Sequence, residues 1–265
     1  HCDDDLVRFW KSANNEKAVL TTYLSDINDS IDPVTHESKH KSRPIMCQSD
    51  YEGNGEYKHL RHGQQPEGIA MITGQPTLEP FWAAGFSFAR GHFTMQVPYD
   101  QYLPMVFQGE EISIGLRGFT YGYDYYTPEK GVCFHMYAIK TNASVRKKVP
   151  LFWENGKMYS GVGMRSMRRL NSLIGMDAFP REDWLTNEEE SYGLGKIRDS
   201  QTFFDVFGIH SETHSVEHHL CKFVGKPMMK EFLPALREDK MGIDYSKISY
   251  RFHDPDVKKT KATQK

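Results

Sequence analysis

The sequence predicts a mixed α/β protein with strands in its first part and mainly helices in its last part. Short β-branched or alternating runs bounded by turn residues stand before about residue 150, which is typical of strands. Longer segments with apolar residues at helical spacing follow. We therefore expect residues 1–150 to belong to one α/β domain and residues 151–265 to form a helical extension packed on it. A basic, disordered tail is expected from about residue 257.

The elements are predicted in chain order from their local patterns. Asp3 to Asp5 can cap a first helix, because apolar residues follow at helical spacing. Later segments are predicted as strands where β-branched or other apolar residues are bounded by turns. They are predicted as helices where the apolar residues recur every three or four positions. The predicted strands cover 17–25, 68–76, 81–90 and 131–139, and the predicted helices lie within 108–117, 159–176 and 199–209.

The composition excludes several classes of partner. The chain has 265 residues and a net charge of −2, so it lacks the concentrated basic surface that nucleic-acid binding needs. No apolar run is long enough to span a membrane, and the acidic start does not resemble a secretory signal. Nucleic acid and membrane are therefore not expected partners. The scattered spacing of Cys2, Cys47, Cys133 and Cys221 argues against a disulfide framework and favours a reducing compartment.

Two adjacent carboxylates are the first candidate for chemistry. Glu110 and Glu111 open the predicted helix 108–117, where the helix dipole favours negative charge. Helical spacing places Arg117 on the same face as Glu110, two turns further on. A solvated and well-capped helix start is the simpler explanation of such a pair. Aromatic residues and glycines on both sides, in "PFWAAG" and "YGYDYY", favour instead a site where a ligand approaches the backbone closely.

Two histidine patterns are further candidates. His135 lies inside the predicted strand 131–139. Two interpretations of this histidine are open, a buried core residue and a metal ligand. The segment "HSVEH" at 214–218 matches the H-x-x-E-H pattern of one class of zinc hydrolase. On a helix, His214 and His218 would share a face, with Glu217 available as a base. The surrounding polar residues and the absence of an obvious third ligand weaken this alternative.

Three sequence blocks carry a resemblance to a known family. In order and spacing, "PTLEPFWAAGFSFARGHFTMQVPYD", "FQGEEISIGLRGFTYGYDYYTP" and "VCFHMY" resemble the glycosyltransferases that add GlcNAc to hydroxyproline on a cytoplasmic ubiquitin-ligase adaptor protein. More distantly, the blocks are similar to the polypeptide GalNAc-transferases. The resemblance extends to "YGLGKIRDSQTFFDVFGI", although the C-terminal half is less specific.

The resemblance implies a fold, a reaction and a set of site residues. It implies a GT-A-like fold, a cytoplasmic enzyme, a UDP-sugar donor, a divalent cation (Mn²⁺ or Mg²⁺) and transfer with retention to a hydroxyl of a protein acceptor, on hydroxyproline or Ser/Thr. His135 resembles the family's distal metal ligand, and Glu110 and Glu111 resemble its catalytic carboxylates. The implied substrate-binding residues are Trp82, Ala84, Gly85, Phe86, Arg117, Tyr121 and Asp124.

One departure from the family pattern affects the expected activity. The family's Asp-x-His metal motif is missing, and "CDDDLVRFW" resembles the segment that follows it. We therefore expect an N-terminally truncated chain in which residues 1–150 form the C-terminal portion of a GT-A catalytic domain. Such a fragment is expected to lack full metal binding and activity on its own. A non-catalytic carbohydrate-binding module, using the aromatic residues alone, is the alternative outside the enzymes.

Overall fold

The computed structural model describes residues 2–40, 43, 45–55, 58–63, 76–136, 148, 161–217, 221 and 233–247. The predicted strand at 68–75, His218 and the predicted tail from about residue 257 lie outside these residues. The protein is a mixed α/β protein, as predicted. Within the described residues, no helix is long and apolar enough to cross a membrane.

Helices and strands alternate in the first part, and helices dominate the later part. The α-helices of the described residues are α1 (Cys2–Ser12), α2 (Ile27–Ser30), α3 (Gly91–Gln96), α4 (Glu110–Thr120), α5 (Val162–Leu173), α6 (Glu189–Tyr192) and α7 (Ser200–Phe207). The strands are β1 (Ala18–Thr21), β2 (Ser25–Asp26), β3 (Gln48–Glu52), β4 (His59–Gly63), β5 (Thr77–Glu79), β6 (Ser87–Ala89), β7 (Asp124–Thr127), β8 (Phe134–His135), β9 (Ile209–His210) and β10 (Ser215–Val216).

A four-stranded sheet organises the first part of the chain, in the order β5-β7-β1-β6. β1 pairs in parallel with β7 and antiparallel with β6, so it is an inner strand. All four residues of β1 are buried, which its apolar sequence AVLT explains. The two-stranded pairs β2-β8, β3-β4 and β9-β10 lie outside this sheet.

Helix α4 is buried along most of its length. Every residue from Ile112 to Thr120 is buried, and Phe119 makes an edge contact with Phe203 of α7 at 5.3 Å between ring centroids. Glycines let neighbouring side chains approach the helix closely. A Cβ at Gly118 would overlap the hydroxyl of Tyr125, which donates a 2.8 Å hydrogen bond to the carbonyl of Gly115. The middle of α4 therefore packs closely against Tyr125 of β7.

A single apolar cluster joins the two halves of the chain. It includes Phe9 and Leu20 from the first part together with Met167, Leu170 and Phe203 from the later helices. The helical part thus shares a core with the sheet. The boundary at residue 150 lies in a region outside the described residues and stays a prediction.

The spacing of the cysteines argued against a disulfide framework, yet the described residues include one disulfide. Cys47 and Cys221 form a disulfide across a sequence separation of 174 residues, whereas Cys133 is a free thiol. Spacing along the chain could not reveal this pair, because the fold alone brings the segment before β3 next to residue 221.

Several predicted strands are shorter than expected. The run 17–25 divides into β1 and the start of β2, and the run 81–90 forms a strand only at Ser87–Ala89. Of the predicted strand 131–139, Phe134–His135 is a strand, and residues 137–139 lie outside the described residues. The predicted helices were confirmed as α1, α4, α5 and α7, whereas the short helix α3 was not predicted.

Candidate active site

The two adjacent glutamates stand at the first turn of α4. Gly109 precedes them with a φ of 85°, a conformation that glycine adopts without steric cost. This turn directs the chain into the helix so that Glu110 and Glu111 lie at its N-terminus, where the helix dipole favours their charge. Both side chains are partly buried.

A hydrogen bond connects Glu111 to the turn that precedes β6. The backbone N–H of Ala84 donates to Oε1 of Glu111 at 2.7 Å. The turn itself is fixed by Thr21, whose hydroxyl donates to the carbonyl of Phe86 at 2.9 Å. A Cβ at Gly85 would lie 3.1 Å from the side chain of Leu24, so the turn also packs closely against the end of β1. The segment 82–86 was predicted as strand, and it is instead a turn that exposes Ala84 and Gly85.

A cavity of about 660 Å³, the Trp82 cavity, opens next to this turn. Its size lies within the range of small-molecule sites in proteins. Its walls come from the turn, β6, α3, the segment after α3 and one residue of α4, and they include Trp82, Ala84, Gly85, Phe86, Phe88, Phe93, Tyr99 and Ile114. The structure thus brings four of the predicted substrate-binding residues together around one cavity.

Burial changes the protonation of both glutamates. It raises the pKa of Glu111 to about 7, partly offset by the Ala84 N–H, and the charge of Glu110 adds to the increase. Burial also raises the pKa of Glu110. Burial and then the charges of Glu110 and Glu111 raise the pKa of Tyr99, a cavity residue. The carboxyls therefore act electrostatically on the wall of the Trp82 cavity, and Glu111 can be neutral or charged near neutral pH.

Two histidines next to the glutamates were not identified from the sequence. Nε2 of His62 lies 3.6 Å from Oε2 of Glu111, and its ring stacks on Phe81 at 5.4 Å. Burial lowers the pKa of His62 to about 4, so the imidazole is neutral near pH 7. His59, on the same strand, is close enough to Glu110 for its charge to lower that carboxyl's pKa. Both lie on β4, a polar segment for which the sequence predicted no strand.

Arg117 and Asp124 have structural partners that the sequence did not suggest. Arg117 is 1 % exposed, and it donates hydrogen bonds to the carbonyls of Pro98 (2.8 Å) and Ser191 (3.4 Å). Its guanidinium therefore binds backbone oxygens rather than pairing with a glutamate of the doublet. Asp124 is 2 % exposed and forms a 2.8 Å ion pair with Arg198. Both residues connect buried segments, and neither is among the residues that line the Trp82 cavity.

Tyr121 lines a different cavity, to which Lys17, Gln96, Trp184 and Lys196 also contribute. We call it the Lys17 cavity, and its volume is about 860 Å³. Helix α3 separates the two cavities, since Phe93 and Thr94 line the Trp82 cavity whereas Gln96 lines the Lys17 cavity. Tyr121 is therefore not grouped with the other predicted substrate residues.

His135 lies on a small parallel sheet, where it is exposed rather than part of the core. In β8 it is the register partner of Asp26 in β2, so an imidazole and a carboxylate stand side by side. Nitrogen and oxygen donors of this kind suit several divalent cations. In the part of the chain that the structure describes, however, no group of three or more His, Cys, Asp or Glu residues is arranged to hold a metal ion. The described donors alone do not make a metal centre.

The zinc-hydrolase pattern does not form the expected geometry. His214 lies in a turn with a φ of 46°, and β10 follows it directly, so 214–217 is not helical. Nε2 of His214 bonds to Asp177 at 2.9 Å, and Glu217 bonds to His210 at 2.9 Å. The His210–Glu217 bond links the two sides of the β9-β10 hairpin, and the His214–Asp177 bond links the hairpin to the segment after α5. The shared helix face that the zinc alternative requires is absent from residues 214–217.

Comparisons with known proteins assign the chain to a family. A search of curated proteins and a search of solved structures each found no match. A family model described as "Glycosyltransferase (GlcNAc)" matches residues 2–213, which include the whole four-stranded sheet, the glutamate doublet and the Trp82 cavity. Because this match covers well over half of the chain, the protein belongs to the GlcNAc glycosyltransferase family.

Proposed function

We propose that the protein transfers GlcNAc, or a related hexose, from a UDP-sugar to a hydroxyl of a protein acceptor with retention. One observation carries this proposal. Trp82, Ala84, Gly85 and Phe86 line one cavity, and the Ala84 N–H is hydrogen-bonded to Glu111 in a chain of the GlcNAc glycosyltransferase family. The partly parallel sheet and the flanking helices support a GT-A-like fold.

In the proposed reaction, the sugar lies in the Trp82 cavity against the turn 82–86. The bond between the anomeric carbon and the phosphate oxygen breaks, and its electron pair leaves with UDP. The acceptor oxygen bonds to the anomeric carbon on the same face, and its proton goes to the departing phosphate oxygen. Positive charge builds up on the sugar ring, and fixed carboxylates stabilise such a charge best in a site that excludes water.

Each glutamate has a proposed part in this reaction. Oε1 of Glu111 accepts from the Ala84 N–H and Oε2 lies 3.6 Å from Nε2 of His62, so the carboxylate is held in a defined orientation behind the turn that lines the cavity. We assign it to the sugar hydroxyls and to the developing positive charge, where its ionised form is the active one. Glu110, on the adjacent position of the first turn of α4, is assigned to the acceptor side. Both are proposed to position and stabilise rather than to attack the anomeric carbon.

Further features of the proposal rest on the resemblance alone. These are dependence on Mn²⁺ or Mg²⁺ with His135 as a ligand, a hydroxyproline or Ser/Thr acceptor, and a cytoplasmic location. No step of the reaction is assigned to the cation, because the described residues do not complete a metal centre. The Cys47–Cys221 disulfide weighs against a cytoplasmic location, since such bonds are rare in reducing compartments.

The test is a transfer assay with UDP-GlcNAc, Mn²⁺ and peptides that carry hydroxyproline, Ser or Thr. The assay measures release of UDP and the gain of one N-acetylhexosamine by the peptide. Glu110→Gln and Glu111→Gln should each lower transfer by more than about tenfold, the size of effect that lost electrostatic stabilisation produces. Glu238→Gln, a change at an exposed glutamate outside both cavities, is the matched control and should leave transfer unchanged.

The pH dependence gives a second readout. If the ionised form of Glu111 is required, kcat/KM should rise with pH below the Glu111 pKa of about 7 and reach a plateau above it. This inflection should disappear in Glu111→Gln. Turnover close to wild type in both glutamine variants would refute the assigned roles. Binding of GlcNAc without binding of UDP would instead favour the carbohydrate-binding module.

A further inference from the structure

We propose that the Lys17 cavity is a second ligand site, which accepts a carboxylate or phosphate group next to the ammonium of Lys17. The site lies across α3 from the Trp82 cavity and is independent of the function proposed for that cavity.

Lys17 lacks a carboxylate partner among the residues that the structure describes. Its Nζ donates to Oε1 of Gln96 at 3.2 Å and lies 4.3 Å from the ring centroid of Tyr123. Partial burial and the nearby guanidinium of Arg198 both lower the pKa of Lys17, and no carboxylate acts on it in the opposite direction. A cation that is partly removed from water and lacks a counter-ion attracts an anion.

A chain of hydrogen bonds fixes the position of this ammonium. The hydroxyl of Tyr123 donates to the same Gln96 oxygen at 2.8 Å, and His92 Nδ1 lies 2.6 Å from that hydroxyl. Since the hydroxyl hydrogen is used on Gln96, Nδ1 of His92 is the donor to Tyr123. Gln96 thus presents its oxygen to Lys17 in a fixed orientation. The remaining N–H groups of Lys17 are available to a ligand.

The opposite wall is also rigid and carries a second cation. Lys196 follows Gly195, whose N–H donates to the hydroxyl of Thr120 at 2.7 Å. The N–H groups of Ile197 and Arg198 donate to the carbonyl of Thr120 at 2.9 and 3.1 Å. A Cβ at Gly195 would lie 2.7 Å from the backbone of Thr120, so only glycine permits this close contact. The backbone that carries Lys196 is therefore held against the C-terminal end of α4.

The balance of charge around the cavity favours an anion. Arg181 is neutralised by its ion pair with Glu189, and it also covers the ring of Trp184 at 5.6 Å. The remaining charged residues of the lining are Lys17, Lys196 and Glu190, so two positive charges stand against one negative charge. A group with a single compact negative charge would satisfy Lys17 without displacing these pairs. Carboxylate and phosphate share this chemistry.

The test is a titration of the whole protein followed by NMR of the backbone amides, with chloride replaced at constant ionic strength. One arm uses inorganic phosphate and the other uses acetate. Saturable shifts at Lys17 and at residues 193–197 in either arm support the site, and the arm that responds identifies the anion. Shifts that do not saturate in either arm would overturn the proposal.

Three variants test the role of Lys17 itself. Lys17→Met should weaken binding at least tenfold, whereas Lys17→Arg, which keeps the charge, should bind within a few-fold of wild type. Lys130→Met removes an exposed lysine that pairs with Asp5 and should bind as wild type does. Thermal melts of each variant confirm that it is folded. Equal affinity in Lys17→Met and wild type would overturn the proposal even if the anions bind.

Discussion

Nε2 of His62 lies 3.6 Å from Oε2 of Glu111, and the two groups have opposite responses to burial. The His62 side chain is fully buried and its pKa falls to about 4, whereas the pKa of Glu111 rises to about 7. Both groups therefore favour the neutral form near pH 6. The first turn of α4 is built around an uncharged pair rather than an ion pair.

This pair predicts how stability depends on pH in Glu111→Gln. Folded Glu111 binds a proton below about pH 7, whereas the unfolded group binds it near 4.5, so Glu111 adds stability as the pH falls through this window. His62 has the opposite effect, because the unfolded imidazole binds a proton near 6.5 and the folded one near 4. In Glu111→Gln the contribution of Glu111 is absent, so only the loss of stability caused by His62 remains as the pH falls.

We expect the Tm of Glu111→Gln to be at or above the wild-type Tm at pH 8 and below it at pH 5. Between pH 8 and pH 5, the difference in Tm between the variant and wild type should change by about 5 °C. This is the shift expected for about one or two kcal/mol in a chain of this size. Calorimetric melts of both proteins between pH 5 and pH 8 measure this change, with Glu238→Gln, at an exposed glutamate, as the control. Parallel Tm curves for Glu111→Gln and wild type would show that the carboxyl titrates normally.

His135→Ala is predicted to weaken the binding of Mn²⁺ by about tenfold, the effect typical of a lost metal ligand or its support. Asp26→Asn, a change at the register partner of His135, should also weaken the binding of Mn²⁺. Calorimetric titration with Mn²⁺ and the Mn²⁺ dependence of transfer are the two measurements. His40→Ala, at an exposed histidine, is the control. An unchanged Mn²⁺ titration in His135→Ala would contradict the assignment of this ligand.

Gly118→Ala is predicted to destabilise the fold by about 1–3 kcal/mol, as overpacking does in a well-packed core. The added methyl group would overlap the hydroxyl of Tyr125. Tyr125→Phe removes that hydroxyl and also its hydrogen bond to Gly115. The double variant should therefore lose less stability than the sum of the single variants, as urea unfolding would show. Strict additivity would mean that the two groups do not meet.

Loss of the disulfide is predicted to lower the free energy of unfolding by about 2–5 kcal/mol, because the bond closes a long loop. Cys47→Ser and treatment with a dithiol reductant should have similar effects. Cys133→Ser, at the free thiol, should unfold as wild type does. Labelling of free thiols followed by mass spectrometry checks the pairing directly. Labelling of all the cysteines in the untreated, folded protein would show that the bond is not formed.

Local sequence patterns predicted the helices whose formation depends mainly on residues close together in the chain. The start of α4 was predicted because a glutamate pair precedes an apolar helical run, and α7 was predicted from the spacing of its phenylalanines. The turn at 82–86 was predicted to be a strand, but only Trp82 and Ala83 are buried, and the fold rather than a sheet buries them. Local sequence cannot distinguish these two kinds of burial.

Contacts between distant residues were the part that the sequence could not reveal. Arg117 has a helical position that suits a glutamate partner, yet its hydrogen bonds go to backbone carbonyls from two other segments. His62 reaches Glu111 only because β4 packs against α4. The four residues around the Trp82 cavity were predicted through the family resemblance, and their grouping with Glu111 depends on the tertiary fold.

The inner position of β1 affects how the chain can fold during synthesis. Both neighbours of this strand, β6 and β7, come much later in the sequence, and one of them must pair in parallel. The apolar strand Ala18–Thr21 therefore stays without its parallel partner β7 until the residues up to Thr127 have left the ribosome. We expect nascent chains stopped before β7 to bind chaperones and to aggregate readily when they are released.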